Sequence, residues 1–153
     1  MSNFEEILID HSHYLSCYLN ILSKSHDSYL YKYIKETEIT PNQYGMLLHI
    51  YNHEGINQAD VASSCIMDKC CASKSFKDLE NKGLVIRKVD ENNRRSYNLF
   101  LTPKAKELAE LLIEKELKWE NHLCKEFDVS KEELFILLKK VSVCALDFNK
   151  NNK

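Results

Sequence analysis

Helix breakers are scarce in this chain: three glycines and two prolines among 153 residues. That shortage argues against a turn-rich fold and for a mostly helical one. No apolar run approaches the roughly 18 residues of a membrane-spanning helix. The opening MSNFEEILIDHSHYL has neither the basic start nor the apolar stretch of a secretory signal, so a cytoplasmic chain is expected. The six cysteines, Cys17, Cys65, Cys70, Cys71, Cys124 and Cys144, are scattered and contain no C-x-x-C. They fit reduced thiols used as small apolar residues better than a disulfide framework. His11, His13, His26, His49 and His53 lack zinc-site spacing, so no metal is expected. Neither G-x-S-x-G, a P-loop, H-E-x-x-H nor a dinucleotide fingerprint occurs. No nucleophile and base can be placed together either, so neither an enzyme nor a cofactor is expected.

The charge is uneven. The net value is −2, yet Asp68–Arg95 holds eight Lys/Arg against five Asp/Glu, a local +3, which leaves −5 for the rest. Such asymmetry points to a basic patch on an acidic body.

Periodicity divides the chain into helices and one hairpin. Residues 4 to 34 read as a long helix, with Ser25 to Ser28 as the place where it could break. Phe4, Leu8, His11, Leu15, Tyr18 and Leu22 form a seam at coiled-coil spacing. Thr40-Pro41 opens a second helix as N-cap and N1, with Tyr44, Leu47, Leu48 and Tyr51 as its buried stripe and Gly55 as its end. Asn57 opens a third, where Asp60 resembles the acid of a capping box, and Val61, Ala62 and Cys65 face inward. Asp68 caps a fourth that ends at Gly83. Its back is Ala72, Phe76 and Leu79, and its front carries Cys70, Lys74, Lys77 and Asn81. Thr102-Pro103 starts a fifth helix reaching about Phe127, with a stripe of Leu108, Leu112, Trp119, Leu123 and Phe127. Ser130 with Glu133 makes a capping box for the last helix, whose seam is Leu134, Leu138, Val141, Ala145 and Phe148. So much apolar helix surface at both ends is most economically buried in a dimer.

Between the fourth and fifth helices, Leu84–Lys88 and Ser96–Leu101 read as two strands around the turn Asp90-Glu91-Asn92-Asn93, followed directly by Arg94-Arg95. A hairpin with arginines near its tip suits a phosphate backbone or a DNA groove. A helix with an apolar back and a short basic front suits the major groove. The fold expected is mainly α with a small β-wing. It comprises a winged helix-turn-helix lobe and a helical dimerisation region made by the N- and C-terminal helices.

An ordered set of short segments resembles the MarR-type winged-helix transcriptional regulators. The segments are Ile39-Thr40-Pro41-Asn42-Gln43-Tyr44, Gly55-Ile56-Asn57-Gln58-Ala59-Asp60-Val61-Ala62, Asp68-Lys69, Leu79-Glu80-Asn81-Lys82-Gly83-Leu84-Val85, Arg94-Arg95 and Leu101-Thr102. The resemblance implies a homodimer that binds palindromic operators, commonly as a repressor. It also implies release by small aromatic acids or other phenolics, or by cysteine oxidation. The corresponding division is residues 1–36 as dimerisation helix, 37–101 as DNA-binding lobe and 102–153 as C-terminal dimerisation helices, all within one structural domain. Two departures stand out. Cys70-Cys71 occupies the place where the family often has Ser-Thr, and Asn93 stands where its wing commonly has Asp.

The candidate DNA contacts are Lys69, Cys70, Cys71, Ser73, Lys74 and Lys77 on the fourth helix, and Asn93, Arg94 and Arg95 on the wing. Arg95 is expected in the minor groove and Arg94 on phosphate. Asp78 shares the helix face and would repel a nearby phosphate. Cys70 and Cys71 are open to three readings: small groove-facing residues, apolar contacts to a thymine methyl, or redox-sensing thiols activated by the helix N-terminus and Lys69. Cys17, amid tyrosines, reads as a packed thiol. Tyr14, Tyr18, Tyr44, His49 and Arg87 are a shortlist for an effector pocket, with ordinary core as the alternative for the tyrosines. A winged helix turned protein-interaction module is the competing functional reading.

Overall fold

The computed structural model describes residues 14–152 except 38, 92 and 128. Phe4, Leu8, His11 and His13 lie outside the described residues. The described elements run α1 (Leu15–Ile34), α2 (Pro41–Asn52), α3 (Gln58–Ser64), α4 (Lys69–Asn81), β1 (Val85–Val89), β2 (Tyr97–Leu101), α5 (Pro103–Phe127) and α6 (Lys131–Asn151). The chain divides into two compact units, the boundary falling within α5 after Leu112. No described helix is long and apolar enough to cross a membrane.

The first unit is built by its caps. Thr40 accepts the Gln43 N–H at 3.3 Å while Gln43 Oε1 accepts the Thr40 N–H at 3.0 Å, a capping box that Pro41 reinforces. Asp68 accepts the N–H groups of Cys70 and Cys71 at 2.9 and 2.8 Å and so starts α4. Asn57 starts α3 differently from expectation: its Oδ1 takes the Ala59 N–H at 2.9 Å, and Asp60 returns no bond among the described residues. Aspartate is one methylene shorter than the glutamate that completes this motif. α1 passes through Ser25–Ser28 without a break. Polar residues there weaken helix propensity but lack the steric veto of proline, and the buried Leu30 and Ile34 hold the helix down.

α3 and α4 end alike. In α4 the Gly83 N–H reaches Glu80 O and the Leu84 N–H reaches Leu79 O, both at 2.9 Å, with Gly83 at φ 66°. In α3 the Ile66 N–H reaches Ser63 O at 3.1 Å and the Met67 N–H reaches Ala62 O at 2.9 Å, with Ile66 at φ 53°. Both are Schellman closures. The left-handed residue is a glycine in one and a β-branched, 73% exposed isoleucine in the other.

Leu30 and Ile34 of α1, Met46, Leu47 and Ile50 of α2, Phe76 and Leu79 of α4, and Leu99 of β2 are fully buried together. β1 and β2 pair antiparallel, with Val85 opposite Leu101 and Val89 opposite Tyr97. The loop before α3 joins this hairpin. The Gly55 N–H donates to Leu99 O, the Leu99 N–H donates to Ile56 O, each at 2.9 Å, and Asn57 bridges to Asn98. Leu99, Leu101 and Val85 thereby seal the lower edge of the core.

In the second unit, α6 starts at a capping box in which Ser130 Oγ accepts the Glu133 N–H and Glu133 Oε2 accepts the Ser130 N–H. Lys131 pairs with Glu120 of α5. None of α6 is buried, and Phe135, Ile136, Leu137, Leu138, Val141 and Phe148 are all exposed.

Candidate nucleic-acid interface

Burial sorts α4 into two faces. Ala72, Phe76 and Leu79 are buried, and the opposite side presents Lys69, Cys70, Cys71, Ser73, Lys74 and Lys77 to solvent. The apolar back fixes the helix, so the polar front has a defined direction. Lys69, Lys74 and Lys77 make no ion pair among the described residues. Asp78 does not stand on that front as a repelling charge. Its Oδ2 accepts from Gln43 Nε2 and from Lys82 Nζ, each at 2.6 Å. These two donors, Lys82 first, lower its pKa. Gln43 is 5% exposed and links the start of α2 to the middle of α4. Sequence reading missed this role, because a capping glutamine does not reveal where its second amide atom points.

The hairpin tip is closed by its own backbone. The Ser96 N–H donates to Asn93 O at 2.8 Å, and the Asp90 N–H donates to Ser96 O at 3.0 Å. Asn93 Oδ1 accepts the Arg95 backbone N–H at 3.1 Å, so the side chain shapes the turn through the backbone rather than through a guanidinium. Arg94 and Arg95 are exposed and form no ion pair among the described residues. Lys69 and Arg95 line one cleft of about 220 Å³, together with Gln58, Ala72, Ser96 and Tyr97. Helix front and wing tip thus converge. Gln58 and Tyr97 escaped sequence reading. Gln58 Oε1 is buried without a hydrogen-bond partner among the described residues, and Asn57 Nδ2 donates to Ser96 Oγ at 2.6 Å, fixing the wing to the start of α3.

Cys71 departs from the activated-thiol reading. Cys71 has a raised pKa, first because its thiol hydrogen-bonds to Asp68 and then because that carboxylate's charge opposes the thiolate. The capping acid outweighs the helix N-terminus and the nearby Lys74. Asp68 is lowered by the same contact. Burial raises the Cys65 pKa.

The effector shortlist is dispersed. Tyr44 is core at 4% exposure, while Tyr14 and Tyr18 are exposed on or beside α1. His49 lines an open cavity with His53, Glu54, Gly55, Ile56 and Ser64, and none of the other four reaches it. Arg87 sits 3.7 Å from Glu80 and 4.1 Å above the Tyr97 ring. A separate cavity of about 500 Å³ is lined by Thr37, Lys82, Leu84, Lys104, Leu108 and Leu111 with two glutamates, and by none of the shortlist. Among the described residues no cluster of three or more His, Cys, Asp or Glu is placed to hold a metal.

Two helices joined by a Schellman turn, the second exposing a basic front, followed by an arginine-tipped hairpin: this is a winged helix-turn-helix. The MarR family profile matches residues 39–97, which run from two residues before α2 to the first residue of β2. The HTH-type transcriptional regulator YybA of Bacillus subtilis is 31% identical over 94 residues, covering 61% of this chain and 63% of that protein. BilQ of Clostridioides difficile, likewise an HTH-type transcriptional regulator, is 26% identical over 133 residues, covering 86% and 88%. The crystal structure of a MarR transcriptional regulator from Methanosarcina mazei superposes with a TM-score of 0.79 at 27% identity, covering 90% of this chain and 99% of that one. Residues 39–97 thus match the MarR family, and the fold is that of solved MarR regulators. The chain spans less than two thirds of the Bacillus subtilis relative's length.

Proposed function

We propose that this protein is a cytoplasmic, sequence-specific DNA-binding regulator of transcription that acts as a homodimer, most simply as a repressor at a palindromic operator. α4 enters the major groove, with Lys69, Ser73, Lys74 and Lys77 on phosphates and base edges and Cys70 and Cys71 as small groove-facing residues. The wing lays Arg95 in the adjacent minor groove and Arg94 on phosphate, with Asn93 shaping the tip. The observation that carries the reading is the convergence on one cleft of two cations from two elements, Lys69 and Arg95, that form no ion pair among the described residues. Electrostatic attraction to phosphate supplies most of the affinity of such a surface, and groove contacts supply the sequence preference.

Dimerisation through the terminal helices is supported by α6, which buries none of its residues, and by exposed Leu15, Tyr18 and Leu22 on the α1 seam. Two-fold symmetry then spaces half-sites about one helical turn, roughly 10 bp, apart. A small aromatic or phenolic effector would release DNA by binding preferentially to a conformation whose spacing misfits the operator.

The test is fluorescence anisotropy with the duplex upstream of the protein's own gene against a scrambled duplex, at several salt concentrations. Preference for the native duplex is expected. Arg95→Ala is expected to reduce the salt slope by about one unit. A folded protein that binds no duplex, including any recovered from a randomised pool, would leave the winged helix as a protein-interaction module.

A further inference from the structure

We propose that Arg87 is a positioning residue for the wing: held between Glu80 of α4 and the ring of Tyr97 in β2, it sets where the wing tip, and with it Arg95, lies relative to α4. This rests on the DNA-binding reading above.

Strand alternation puts Val85, Arg87 and Val89 on the same face as their partners Leu101, Leu99 and Tyr97. Val85, Leu99 and Leu101 on that face are core. Position 87 is therefore where an apolar side chain would extend the core outward. An arginine stands there instead, its side chain 13% exposed. Its Nε is buried and has no hydrogen-bond partner among the described residues. A buried donor without an acceptor is destabilising, so packing alone favours a leucine or methionine at this site.

The guanidinium does what neither could. Nη1 lies 3.7 Å from Glu80 Oε2, and Cζ lies 4.1 Å from the Tyr97 ring centre. Glu80 sits in the last turn of α4, while Tyr97 is two residues from Arg95 and lines the cleft that Lys69 and Arg95 share. One side chain thus touches both DNA-facing elements. A planar guanidinium can stack on a ring while its edge meets a carboxylate, whereas an ammonium offers only a point charge. The neighbouring cation does not compete, because Lys88 packs over Phe100 on the other face of the hairpin.

A double-mutant cycle separates positioning from general destabilisation. The probe is the duplex that the wild-type protein binds best from a randomised pool, read by anisotropy. Arg87→Gln and Glu80→Gln are each expected to weaken binding about tenfold in the wild-type background, and less than about twofold once Arg95→Ala has removed the wing contact. Arg87→Lys is expected to stay weak. Equal losses in both backgrounds, or full rescue by lysine, would overturn the proposal. Should Arg87→Gln not fold, Glu80→Gln at its half-exposed site carries the same comparison. A DNA-free arm uses backbone ¹⁵N relaxation. Order parameters over Asn93–Ser96 are expected to fall in Glu80→Gln while those of α4 hold, and an unchanged wing would overturn the proposal. If the wild-type protein binds no duplex, the DNA-binding reading fails by itself, and the relaxation arm still decides whether Arg87 fixes the wing.

Discussion

Replacing Ile66 with glycine is expected to make this protein more stable, although it removes a whole aliphatic side chain from the centre of the helix-turn-helix. Ile66 holds the left-handed position of the Schellman closure of α3, at φ 53°. A non-glycine residue there costs on the order of 1–3 kcal/mol, with β-branched side chains at the unfavourable end. Against a central cost of about 2 kcal/mol stand two losses. Glycine frees the unfolded chain, worth roughly 0.5–1 kcal/mol. The side chain is 73% exposed, so only the contact of its buried quarter is lost, about 0.5 kcal/mol. The net gain is about 0.5–1 kcal/mol, or roughly 1–4 °C in Tm for a chain of this length. Gly83 in the same motif at the end of α4 is the internal control: Gly83→Ile is expected to destabilise. The assay is urea denaturation followed by circular dichroism, at one fixed protein concentration because a dimer's stability depends on it. A lower midpoint for Ile66→Gly, with unchanged m-value, would mean that the side chain is buried in the assembled protein and that the strain argument fails.

Phe76→Ala, at a fully buried site on the back of α4, should cost about 3–5 kcal/mol, measured by the same denaturation; a cost near zero would show α4 is not anchored through that face. Asp68 has a lowered folded-state pKa, so its stabilising contribution is present above the ordinary carboxylate range and is lost as pH falls through the folded value. Acid unfolding of Asp68→Asn should therefore depend less on pH below about 4. The same variant should move iodoacetamide labelling of Cys71, followed by mass spectrometry, to lower pH, because Asp68 is what raises that thiol; unchanged labelling would remove the hydrogen bond from the account.

Much of this arrangement was legible because local chemistry decides it. Thr40-Pro41, Asp68 and Ser130 with Glu133 each carry their capping partner within three residues. The wing announces itself through two apolar runs around a polar turn, and observed strand limits differ from expectation by one residue. Features that stayed hidden depend on distant partners. Gln43 has no role of its own in the sequence until Asp78 of α4 is brought to its amide. Asp78 itself reads as a repulsive charge until Gln43 and Lys82 engage it. Asn57 joins Ser96 across 39 positions. Ile66 was hidden for the opposite reason: pattern leads one to seek glycine at a left-handed closure, and here none is present.

The contacts of the loop before α3 with Leu99 and Ser96 of the hairpin also set how long the wing persists. A free two-stranded hairpin of this size is marginal in water. Here Gly55 and Ile56 exchange backbone bonds with Leu99, and Asn57 holds Ser96. The hairpin cannot fray inward past Leu99 without releasing the Gly55 and Ile56 backbone just ahead of α3. Its inner amides are accordingly expected to exchange with solvent on the clock of the whole lobe, and under the proposed function the wing would meet DNA as a preformed prong whose ordering entropy was spent during folding rather than at the moment of binding.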